Sequence, residues 1–105
     1  MKRALKLPYS NTIATFRTHK LKCWPEFFQA IYDGRKRHDL RRADDRKFAE
    51  GDQLILEEFD PEMGRYTGRK QTVRVTYVTS SEMPCALSGE ALGQNYCILS
   101  ISKVT

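Results

Sequence analysis

The segment Lys70-Gln71-Thr72-Val73-Arg74-Val75-Thr76-Tyr77-Val78-Thr79 decides the fold class. In an extended chain Val73, Val75 and Tyr77 fall on one face and Thr72, Arg74 and Thr76 on the other, the period-two pattern of a half-buried strand. Just before it, Asp60-Pro61-Glu62-Met63-Gly64-Arg65-Tyr66-Thr67-Gly68 carries the Pro and Gly punctuation of a hairpin connection. The strand that enters this hairpin is Gln53–Phe59, introduced by Gly51-Asp52. Downstream, Ser80–Asn95 is a looser stretch containing Pro84, Gly89 and Gly93, with room for one helical turn near Leu87–Leu92. A last strand, Tyr96–Val104, sets Cys97, Leu99 and Ile101 on one side.

Upstream, His19-Lys20-Leu21-Lys22-Cys23 is a short alternating strand. It runs into Trp24-Pro25-Glu26-Phe27-Phe28-Gln29-Ala30-Ile31-Tyr32-Asp33-Gly34, where Trp24, Phe27, Phe28 and Ile31 recur at helical spacing. Pro25 suits the first turn, Glu26 complements the positive end of the helix dipole, and Gly34 supplies a left-handed stop. The aromatic stripe is expected to be core. Residues 35–42 follow as a charged strand, and Arg42-Ala43-Asp44-Asp45-Arg46-Lys47 as a turn. Residues 1–18 keep no steady period and form an N-terminal arm, partly ordered at best; residues 19–105 form the domain. Short strands at close spacing with one helix imply an α+β fold, a small and mostly antiparallel β-barrel carrying one or two short helices.

A chain of 105 residues has room for one core. A net charge of +5 directs attention to anionic partners, nucleic acid before an anionic membrane surface. No apolar stretch approaches the roughly 18–20 residues of a membrane span, and Pro8 interrupts the basic N-terminus before a signal core develops. Cys23, Cys85 and Cys97 are widely spaced and odd in number, so neither a zinc ribbon nor a complete disulfide framework is indicated. His19, Cys23 and His38 make no credible metal set. The expected setting is cytoplasmic, with no cofactor and no metal.

The densest charge lies in Gly34-Arg35-Lys36-Arg37-His38-Asp39-Leu40-Arg41, followed by Arg42. On a strand, Asp39 and Arg41 lie two apart on one face, with Arg37 beyond, and His38 opposite. A carboxylate between arginines is a structural ion pair, an acid that presents a guanidinium fork to a phosphate or base edge, or both. Lys36, just past the helix stop, is either a phosphate contact or a solvated lysine. Arg65, Arg69 and Lys70 flank Tyr66 in the hairpin, an arrangement suited to stacking a base of single-stranded RNA while cations follow the backbone, or simply to a solvated hairpin tip.

Gly34-x-Lys36-x-x-Asp39-x-Arg41 resembles the G-x-K-x-x-E-x-R signature of ASCH domains, small β-barrels of the PUA-like superfamily. The wider text resembles the DUF3850 group more closely. It includes Leu21-Lys22-Cys23-Trp24-Pro25-Glu26-Phe27-Phe28, Asp44-Asp45-Arg46-Lys47-Phe48, Phe59-Asp60-Pro61, Tyr66-Thr67-Gly68-Arg69 and Tyr96-Cys97-Ile98-Leu99-Ser100-Ile101. The resemblance covers about residues 19–104. It implies a PUA-like barrel and RNA binding, or a hydrolase of the nucleoside-amidohydrolase or ribonuclease type. In the amidohydrolase type a threonine stands three residues after the motif lysine; this chain has Asp39 there, which puts the threonine-dependent reaction in doubt.

Three expectations result. The first is a nucleic-acid-binding module for RNA or a nucleotide, with Lys36, Arg37, Arg41, Arg42 and Arg69 as cations, Asp39 as their orienter, and Trp24 or Tyr66 as a stacking platform. The second is an enzyme on nucleosides or RNA, with Lys36 as base or electrophile and Asp39, or Glu82 of the Ser80–Asn95 loop, as its acid. The third is a phage or bacterial protein-interaction domain with an acidic protein partner.

Overall fold

A computed structural model describes residues 15–104. The proposed arm therefore lies mostly outside the described residues. The elements are β1 (Thr18–Cys23), α1 (Pro25–Tyr32), β2 (His38–Arg42), β3 (Gln53–Asp60), β4 (Arg65–Ser80), α2 (Ser88–Ala91) and β5 (Tyr96–Lys103). They build one five-stranded sheet in the order β1-β3-β4-β5-β2. Only β1 and β3 run parallel, with Thr18 opposite Gln53 and Cys23 opposite Glu58; the pairs β3–β4, β4–β5 and β2–β5 are antiparallel. A parallel pair needs a crossover, and here α1 and β2 lie within it.

The sheet curls into a half-barrel, bringing its two edge strands toward one another. Arg41 on β2 donates through Nη2 to the Lys22 carbonyl on β1 at 2.8 Å, so a side chain spans the seam. Inside the curl lie Leu21, Leu54, Leu56, Val73, Val75, Leu99 and Ile101 from the strands and Phe28 and Ile31 from α1. Each such side chain contributes about 1.5–3 kcal/mol on leaving water. The hairpin between β3 and β4 turns on Asp60, whose Oδ1 accepts from the amides of Glu62 at 2.9 Å and Met63 at 3.3 Å, and on Gly64 at φ 67°.

Three local expectations are corrected. Tyr77 does not share the buried face of Val73 and Val75. The β4–β5 register shifts between Val75 and Tyr77, which leaves Tyr77 47% exposed while Val78 packs on the core. One extra residue at a bulge inverts the face of everything after it. The stripe on α1 also splits: Phe28 and Ile31 are buried, whereas Trp24 and Phe27 are 49% and 46% exposed. An eight-residue helix lying on a curled sheet buries one narrow face, and Trp24 and Phe27 fall outside it. The charged strand begins at His38 rather than at residue 35, because Arg35 and Lys36 both donate their backbone N–H to the Ala30 carbonyl and so still belong to the end of α1. Gly34, at φ 83°, provides the left-handed stop. Among the described residues, no helix is long and apolar enough to cross a membrane.

Candidate nucleic-acid interface

The half-barrel has two unlike ends. At the first, α1 covers the strands and the motif residues converge; at the second, the 43–50 and 80–96 loops meet.

At the α1 end, β2 directs Asp39 and Arg41 inward and His38, Leu40 and Arg42 outward, as the two-residue period requires. Asp39 is buried, and its Oδ2 accepts from Arg41 Nε at 2.6 Å. The Arg41 side chain is 21% exposed. Its Nη2 holds the β1 edge, so Arg41 and Asp39 form a tight structural pair that closes the seam. Cys23, buried opposite Asp39 and Glu58, has its thiol pushed up to about 11, first by burial and then by the Asp39 carboxylate, and so is not a poised nucleophile. Lys36 is half-buried, with Nζ 3.4 Å from His38 Nε2 and 5.9 Å from the Phe27 ring centre. Arg37 is exposed and donates to the Gly34 carbonyl at 3.2 Å. It takes no part in the Asp39 pair.

A second acid in this end lies on the inward face of β3. Glu58 is 5% exposed, accepts from Thr67 Oγ1 at 2.6 Å and lies 3.6 Å from Arg69 Nη1. Arg69 also donates to Gln29 Oε1 at 3.2 Å and stands 4.8 Å from the Phe28 ring centre, so the predicted hairpin cation is fastened to α1. Glu58 alternates with Leu54 and Leu56 on the inward face, a position that the strand period identifies but that its charge disguised. Buried Gln71 donates to the Phe28 carbonyl at 2.8 Å, and its Oε1 has no partner among the described residues.

Exposed rings surround this cluster. Trp24 and Phe27 stack with centroids 6.2 Å apart at 17°. Tyr66 is half exposed and meets Phe59 edge-on at 5.1 Å, with Lys22 Nζ 4.2 Å from the Phe59 centroid and 5.9 Å from that of Tyr66. Trp24 and Phe59 directly follow the paired Cys23 and Glu58, so both groups leave the sheet at the same end.

Arg42 and Glu82 sit elsewhere. Arg42 points outward to Tyr96 Oη at 2.9 Å and Asp44 at 3.3 Å, which separates it from Asp39 and Arg41. The Asp44 hydrogen bond, first, and the Tyr96 and Asp44 charges hold its guanidinium more firmly protonated than usual. Glu82 lines a cavity of about 720 Å³ at the loop end, together with Phe48, Tyr77 and Tyr96. This cavity contains neither Lys36, Asp39 nor Arg41. Nothing in the loop composition pointed to it; its rings come from two strands and a turn that the register bulge and the sheet order bring together. Among the described residues, no group of three or more His, Cys, Asp or Glu could hold a metal ion.

The family described as a domain of unknown function, DUF3850, matches residues 18–101. An Escherichia phage P2 protein, called an uncharacterized 12.9 kDa protein in the GpA 3′ region, is 38% identical over 63 residues, covering 60% of this chain and 55% of that protein. The match thus spans little more than half of that relative's length.

Proposed function

The chain belongs to the DUF3850 family, and from that premise we propose that it is a nucleic-acid-binding module of the ASCH-like, PUA-like kind, taking single-stranded RNA at the α1 end. The observation that carries this reading is the set of exposed rings with cations among them around the seam: Phe27, stacked on Trp24, with Lys36, and Tyr66 with Lys22. A ring with an exposed face stacks a base of any sequence, and a neighbouring ammonium meets the phosphate that follows it. Asp39 and Arg41 act beneath as the frame: they hold β1 and β2 at a fixed spacing, so that Trp24 and Lys36 stay in register across the seam. Arg69 fixes α1 against the hairpin in the same way.

Asp39 favours binding over hydrolysis. It occupies the place of the amidohydrolase threonine, and its carboxylate is already engaged by Arg41.

Fluorescence anisotropy with labelled single-stranded RNA, duplex RNA and single-stranded DNA tests the reading. Affinity for the single strand is expected to fall with salt at a log–log slope of about −0.7 per phosphate neutralised. Tyr66→Ala and Trp24→Ala each remove a platform worth about 1–3 kcal/mol, and Lys36→Ala lowers the salt slope. Absence of RNA binding, or binding that these three variants leave intact, overturns the proposal. Capture of an acidic protein without RNA would favour the protein-interaction alternative.

A further inference from the structure

The loop-end cavity uses none of the residues of that interface, and its chemistry differs in kind. We propose that it is a second, separate site for a small nucleotide: a nucleoside monophosphate bound as a free ligand rather than as part of a strand.

Size is the first argument. A volume of about 720 Å³ falls within the ~300–1,000 Å³ range of small-molecule sites. The walls are also fastened rather than loose. Ala43 N–H donates to the Asn95 carbonyl at 2.6 Å, joining the two loops. Ser80 Oγ accepts from the amides of Glu82 at 3.2 Å and Met83 at 3.1 Å, and so fixes the turn that carries both onto the rim. Asp52, 2% exposed, accepts from Ala49 N–H at 3.0 Å, Arg17 N–H at 3.0 Å and His19 Nε2 at 2.9 Å, and the Phe48 ring tilts onto His19 at 4.6 Å.

The lining gives the ligand class. Tyr77, Tyr96 and Phe48 present rings to one hollow, and the first two are 47% and 37% exposed. That is the surface a planar heterocycle needs. Arg46 and Lys47 line the same cavity, and neither makes an ion pair with a described residue. They suit one phosphate. Glu50 and Glu82 offset them, leaving the lining balanced in charge. A balanced wall disfavours a polyanionic backbone. It accepts a ligand with one anionic group and an N–H-bearing edge, and a nucleoside monophosphate has both.

Isothermal titration calorimetry of the full chain with AMP, GMP, CMP and UMP, alongside adenosine, guanosine and inorganic phosphate, tests this. At least one monophosphate is expected to bind more tightly than its nucleoside and than phosphate alone. Tyr77→Ala and Arg46→Glu should each weaken it at least tenfold, while Tyr66→Ala, at the other end, leaves it unchanged. Tyr77 and Arg46 are exposed, and circular dichroism confirms that the variants fold; Lys47→Glu substitutes for any that does not. No monophosphate binding below millimolar concentration overturns the site. So does equal binding of nucleoside and nucleotide, or loss in Tyr66→Ala together with retention in Arg46→Glu. RNA binding that survives Tyr77→Ala keeps this result separate from the fate of the α1-end interface.

Discussion

The two ends of the half-barrel deploy charge in opposite ways. At the α1 end, acids and cations are bonded to one another beneath exposed rings: Asp39 to Arg41, Glu58 to Thr67 and Arg69. At the loop end, Arg46 and Lys47 line a hollow without an ion pair to a described residue, and the buried acid, Asp52, serves backbone amides and His19 instead. The difference teaches that a dense charge motif need not be the contact surface. Here Asp39 and Arg41 hold the frame, and the exposed rings of Trp24, Phe27 and Tyr66 surround it.

Breaking each frame separately sharpens the contrast. The largest effect is expected from Asp39→Ala, which leaves the Arg41 guanidinium, mostly enclosed, without its carboxylate; the loss should be about 3–5 kcal/mol in urea unfolding. If Asp39→Ala is as stable as the parent, the seam is not held by that pair. Next comes Asp52→Ala, expected to remove about 3 kcal/mol because it strands two amides and a buried imidazole. Its diagnostic is selective: nucleotide binding at the loop end should be lost while RNA binding persists, and loss of both would show that the ends are not independent.

A smaller effect is expected from Cys23. Its folded thiol titrates near 11 against an ordinary value of 9.0, so both states are protonated at neutral pH. Between these values the unfolded chain releases its proton and the folded chain does not. Stability from this group is therefore present below pH 9 and declines as pH rises toward 11, by roughly 1 kcal/mol per pH unit at most. Thermal melts of Cys23→Ala should be flatter across that window than those of the parent; identical slopes would mean the thiol does not sense the buried cluster. The smallest effect belongs to Lys70→Ala, which removes only a long, exposed contact to Glu57 at 3.8 Å and should change stability by less than about 0.5 kcal/mol.

Much of this was legible in one dimension. Alternation placed Val73 and Val75 and paired Asp39 with Arg41 on one face, and Gly34 marked the end of α1, because each depends on neighbours within a few residues. The role of Glu58 needs both Thr67 from across the hairpin and the closed interior, and the exposure of Tyr77 depends on a bulge set by β5. Phe48, Tyr77 and Tyr96 share a cavity only because β5 lies between β4 and β2 in the sheet. The strand order is decided by the whole chain, and so is the cavity that it creates.

The clasp from Arg41 to the Lys22 carbonyl has a consequence for self-association. An open sheet ends in two rows of backbone donors and acceptors that can template a strand from another molecule. Here the edges turn toward each other, and an intruding strand would have to displace a guanidinium and pass Lys20, Lys22 and Arg42. The molecule guards its unpaired backbone with positive charge, and so closes a barrel that its hydrogen-bond ladder leaves open.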